Sequence, residues 1–139
     1  WQGDPPDPYA TETYASARLE RGTGERHATM RRLYQELIAL RKQHGLGPDT
    51  NAVRYVSHLD NEEVVTLQRG RALVIFAFSE QPRRIALGLP SGRWRKVLST
   101  WDTRWGGPGD ELPAALSGEV TLQLPPSGAA LFIRTNAGR

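Results

Sequence analysis

Turn signals cut residues 51–135 into short segments, and this punctuation limits the fold more than any other feature of the chain. Asp60-Asn61, Arg69-Gly70, Pro90-Ser91-Gly92 and Pro125-Pro126-Ser127-Gly128 are the clearest of them. Gly and Pro there favour backbone angles that end regular structure. The segments between them are mostly too short for amphipathic helices, but strands need only about four to eight residues. Residues 52–58 and 63–69 read as two strands. Residues 71–79, RALVIFAFS, are apolar at consecutive positions, as a central strand covered on both faces would be. Val74 and Phe76 would then be buried on one face, and Leu73, Ile75 and Ala77 on the other. Ile85, Leu87 and Leu89 alternate with Ala86 and Gly88. Residues 93–99 carry Trp94. Val120, Leu122 and Leu124 alternate with Glu119, Thr121 and Gln123, a one-face pattern, and residues 128–135 close the series. About seven short strands so spaced predict a mainly β chain, an antiparallel β-sandwich or barrel.

One segment keeps a different period. In residues 25–45, Met30, Leu33, Tyr34, Leu37, Ile38 and Leu40 recur at three- and four-residue steps, which makes an apolar stripe on a helix. Thr23 is placed to cap it, Glu25 suits its positive end, and Arg41, Lys42 and His44 suit its negative end. Gly45 can take the left-handed stop conformation. A lone helix of this length is marginal in water, so the stripe, Leu33 and Leu37 included, is expected to be buried. The pattern leaves open whether it lies on the sheet or belongs to a preceding domain. Residues 1–24, opening WQGDPPDP, show no hydrophobic period and read as irregular.

Composition narrows the function. With 38% hydrophobic and 24% charged residues the chain is an ordinary globular one. It has no cysteine, which excludes disulfides and thiolate metal sites. The run 72–78 is too short to span a membrane, and no basic segment followed by an apolar stretch opens the chain. The net charge of +3 is spread along the sequence among acids, not gathered in the basic stripe of a nucleic-acid site. His27, His44 and His58 lack metal-ligand spacing. There is no Gly-x-Ser-x-Gly elbow and no phosphate loop. The acids fall on loops and outward strand faces, so no catalytic pair is set up. The expectation is no catalytic residue, no metal and no cofactor.

The strongest candidate for binding is residues 100–110, TWDTRWGGPGD. Indole faces stack on sugar rings, while carboxylates and guanidiniums bond hydroxyls. Trp101, Trp105, Asp102 and Arg104 are therefore candidate carbohydrate contacts. The competing expectation is that at least one indole tucks under the sandwich as an anchor, with Gly106, Gly107 and Gly109 letting the chain turn. A mobile loop of this kind would bind maltoheptaose weakly or not at all, because ordering it costs free energy.

The order of the pieces resembles the C-terminal part of an α-amylase-superfamily glycosidase. A DPPDP loop leads to an aromatic-x-x-x-Arg-Leu segment ending at Leu19, then to RLYQELIALRK, FAFSEQPRRIAL, a Gly-x-Trp strand, a WGG loop and LPPSGAALFIR. Within the superfamily these features are most similar to the malto-oligosyltrehalose trehalohydrolases, with the glycogen branching enzymes as the alternative. Ala17-Arg18-Leu19 departs from the Ser-Lys-Leu-x-Trp such proteins usually carry. The resemblance implies that residues 1–45 are the last loop and helix of a catalytic (β/α)8 barrel and 51–135 a C-terminal antiparallel β-domain. It implies a parent enzyme of the cytoplasm that hydrolyses an α-1,4-glucosidic bond in maltooligosyl-trehalose and releases trehalose. It implies the upstream barrel as partner, and an inactive, structural role for this chain. The other functional classes are a carbohydrate-binding module holding α-glucan and an interaction domain. Exposed indoles would favour the module, and a flat apolar patch the interaction domain.

Overall fold

The computed structural model describes residues 5–18, 22, 24–47, 53–59 and 63–135. Thr23, Leu19, Ala52 and the Asp60-Asn61 turn lie outside them. Among the described residues the punctuation read above separates eight strands: β1 Val53–Leu59, β2 Val64–Arg69, β3 Ala72–Ala77, β4 Arg83–Gly88, β5 Arg93–Ser99, β6 Ala115–Leu116, β7 Glu119–Leu124 and β8 Gly128–Thr135. The two-residue β6 is one more than the sequence predicts, since two residues carry no period. Helix α1, Thr11–Ala17, is a second addition, within the stretch expected to be irregular. It buries no side chain, so it leaves no apolar pattern to read. Its alanines are the best helix formers.

The strands form two antiparallel sheets. One has the order β1-β2-β3-β8-β5-β6, and the other pairs β4 with β7. The chain crosses from the large sheet to the small one after β3, returns for β5 and β6, crosses again for β7 and returns for β8. The main core lies between the sheets. Leu73, Ile75 and Ala77 of β3 and Phe132 of β8 meet Ile85 and Leu87 of β4 and Leu122 and Leu124 of β7. Each leucine or isoleucine side chain, fully buried, contributes about 1.5–3 kcal/mol. Glu63, just before β2, ties the sheets at the surface through a 3.0 Å ion pair to Arg83 of β4. That hydrogen bond holds the Glu63 carboxyl below its ordinary value.

The two-sided strand is β8, not β3. Ala130 to Ile133 are buried on both faces of β8, whereas Val74 and Phe76 of β3 are only half-buried. Phe76 stacks on Phe78 at 6.1 Å, and Phe78 is 64% exposed. The reason is the partial cover on that side. Helix α2, Glu25–Gln43, packs there and forms a second cluster with Leu40, Ala72, Leu98, Leu131 and Ile133. Gly45 takes the left-handed conformation at φ 63°, which stops α2 and turns Leu46 back onto this cluster. A guanidinium N–H of Arg69 donates to the Gly47 carbonyl and ties this segment to β2. The helix therefore lies on the sheet, which the sequence left open.

The apolar stripe of α2 divides between two neighbouring faces. Thr29, Leu33, Glu36 and Leu40, at steps of four, three and four, are the least exposed residues of α2, and Leu33 and Leu40 pack on the sheet. Met30, Tyr34, Leu37 and Ile38 remain exposed, Leu37 at 39%. The expectation that Leu37 is buried is thus corrected: one sheet contacts only one side of so wide a stripe. Leu40→Ala is expected to cost about 2–3 kcal/mol in chemical denaturation, as a buried truncation does. Leu37→Ala should stay below about 1 kcal/mol, as an exposed one does. Equal losses would show that the exposed half is buried in solution.

Candidate functional site

The segment after β5 holds all four candidate contact residues and is firmly built. A bulge sets it up. Lys96 pairs with Phe132, but Leu98 pairs with Leu131, so β5 carries one extra residue at Val97. A bulge of this kind turns the following side chains to the opposite face. Trp94 and Trp101 are an odd number of residues apart, yet both enter the core between the sheets. Trp101 is 1% exposed, and its indole N–H donates to the Pro126 carbonyl at 2.9 Å. It presents no ring face to solvent and acts as the anchor of the segment.

Asp102 and Arg104 are engaged locally. Asp102 caps the 3-10 turn Thr103–Trp105, its Oδ1 accepting from the Arg104 backbone N–H at 2.9 Å. Its Oδ2 lies 3.1 Å from the Arg104 Nε. The Arg104 guanidinium in turn stands 4.6 Å from the centre of the Trp105 ring. Trp105 is half-buried, and its enclosed indole N–H has no acceptor. The far end of the segment is held by Asp110, whose carboxylate meets Lys96 at 2.7 Å. Both side chains of that pair are largely withdrawn from water. The Lys96 ammonium also donates to the Leu112 carbonyl, and the Leu112 N–H donates to Asp110 at 3.1 Å. A withdrawn pair satisfied in this way is costly to break, because either charge alone would be left unpaired. Gly107 is needed for space and not for a turn: a Cβ there would collide with the Trp101 backbone.

This rigid turn faces the start of α2. Between them runs a groove of about 800 Å³, lined by Trp105 and Arg104 on one wall and by Glu25, Arg26, Met30 and Arg32 on the other. The structure thus separates the two tryptophans. It places Trp101 in the core and brings Trp105 and Arg104 to helix residues that the sequence did not connect with them. No local signal could have found Glu25 or Arg26, since their approach to residue 105 is a tertiary fact. Among the described residues no group of three or more His, Asp or Glu side chains is arranged to hold a metal, and no helix is long and apolar enough to cross a membrane.

Two antiparallel sheets with a core between them that holds Trp94 and Trp101 define an all-β domain. Residues 55–135 match the family model described as alpha amylase, C-terminal all-beta domain, and the chain belongs to that family. This makes it part of a glycoside hydrolase of the alpha-amylase family. No curated protein matches the chain.

Proposed function

We propose that this chain is the C-terminal part of a malto-oligosyltrehalose trehalohydrolase, in which the β-domain braces the catalytic barrel. Its parent would cleave the α-1,4-glucosidic bond next to a terminal trehalose unit, in the cytoplasm. The observation that carries the reading is the divided stripe of α2. Leu33 and Leu40 pack on the β-domain, while Tyr34 and Ile38 stay exposed, and Met30 and Leu37, at the edges of the contact, keep much of their surface exposed. A helix with apolar residues on two adjacent faces is suited to lie between two bodies. One body is the sandwich; the other is the barrel to which α2 would belong as its last helix. The family match supports this reading at the level of the enzyme class, and the DPPDP segment supports the narrower one.

The test is direct. The complete reading frame containing this segment should release trehalose from maltooligosyl-trehalose, and the chain alone should release none. Turnover by the chain alone would overturn the bracing role. Branch formation without trehalose release by the complete protein would overturn the trehalohydrolase reading in favour of a branching enzyme.

A further inference from the structure

We infer that the apolar surface beside α2 on the outer face of the large sheet, running from Leu67 and Val74 to Phe78, is a second seat for the catalytic barrel. This contact rests on the reading above of α2 as the last helix of that barrel, and the sheet makes it with its own residues.

Strand β2 is built for cover on its outer face. A sheet with one face in water carries apolar side chains inward and polar ones outward. In β2 that order is partly reversed. Thr66 and Gln68 are buried on the core side with Val64, while Val65 and Leu67 lie on the outer face and are half-buried. The register continues this surface onto β3, where Val65 pairs with Phe76 and Leu67 with Val74. Phe76 stacks on the exposed Phe78. Of these five residues only Val74 packs into the cluster under α2, and none belongs to the core between the sheets. Monomeric proteins seldom leave contiguous apolar surface to water unless something binds it.

Continuity with the helix names the occupant. Leu37 and Leu46 form one side of a groove of about 410 Å³, and Leu67 and Val74 form the other. Leu37 is also partly exposed beside Tyr34 and Ile38 on α2. One body resting on Tyr34 and Ile38 would therefore cross Leu37, fill the groove and reach Phe76 and Phe78. A second copy of the chain suits this surface less well. Arg31 lies one turn from Tyr34, and Arg41 and Lys42 lie one turn from Ile38, all three exposed. Two copies meeting there would set like charges against each other.

Hydroxyl-radical footprinting of the chain alone and of the complete protein tests this, since aromatic side chains are oxidised where they are exposed. Tyr34 reports the helix's own contact and Phe78 reports the sheet's. Both should be oxidised in the chain alone, and both should lose most of that oxidation in the complete protein. Phe78→Asp should leave the urea midpoint of the chain alone unchanged and lower that of the complete protein. Protection of Tyr34 with Phe78 left open, or an unchanged midpoint of the complete protein carrying Phe78→Asp, would overturn the second seat and leave the bracing helix standing. Protection of neither would overturn both. Phe78 protected in the chain alone, within a dimer that Phe78→Asp dissociates on light scattering, would make the occupant a second copy and overturn the barrel as occupant. The product released by the complete enzyme is read separately, so branch formation with Phe78 protected would support this contact while overturning the trehalohydrolase reading.

Discussion

Ile75→Asp is expected to yield no folded protein. Ile75 has no exposed surface, and it lies in β3 between Thr66 of β2 and Ala130 of β8, at the middle of the large sheet. Its side chain enters the core between the sheets, where Ile85, Leu122 and Leu124 offer no hydrogen bond. An aspartate there loses the isoleucine's burial and either keeps a charge without a partner or takes up a proton at a cost. The combined penalty is several kcal/mol, against a total stability of about 5–15 kcal/mol for a domain. Far-UV circular dichroism and a urea titration read the result. The control is Phe78→Asp, one residue beyond the strand and exposed, which should fold as the parent does. A folded Ile75→Asp protein with the parent's midpoint would remove β3 from the core.

These residues also show which parts of the structure could be read from the sequence. The punctuation and the alternation of β4 and β7 carry the sandwich, because each turn and each inward residue is encoded locally. The two faces of β3 look alike in sequence, yet one meets another sheet and the other only part of a helix. Cover of that kind belongs to the partner and not to the strand. The stripe of α2 likewise reads as one surface, and only the packing shows that the sheet covers part of it. The bulge at Val97 is the most instructive case. Strict alternation would send Trp94 and Trp101 to opposite faces, and one inserted residue brings both into the core. Nothing in Lys96-Val97-Leu98 announces that insertion. The same limit hides the groove, whose two walls are more than seventy residues apart in the chain.

Trp101→Ala is expected to cost about 3–5 kcal/mol, the range for a large aromatic truncated in a core. Three features place it there. The ring is 1% exposed, so the cavity opens inside the sandwich. The part-buried Pro126 carbonyl loses its indole donor, and a hydrogen bond of this kind contributes about 0.5–1.5 kcal/mol. The chain has also been shaped around this ring: a Cβ at Gly128 would stand 2.5 Å from the indole nitrogen, so no side chain fits there while Trp101 is present. This makes the prediction specific. Gly128→Ala should be strongly destabilising alone, but its penalty should shrink in the Trp101→Ala background, where the obstructing ring is gone. Residues in contact show such coupling at about 0.5–3 kcal/mol, whereas independent sites add. A double-mutant cycle by urea denaturation measures it. Trp105→Ala, by contrast, should bring the smaller stability loss, since that ring is only half-buried. Additive penalties for Trp101 and Gly128, together with undisturbed stability in Trp101→Ala, would mean that the ring lies outside the core in solution.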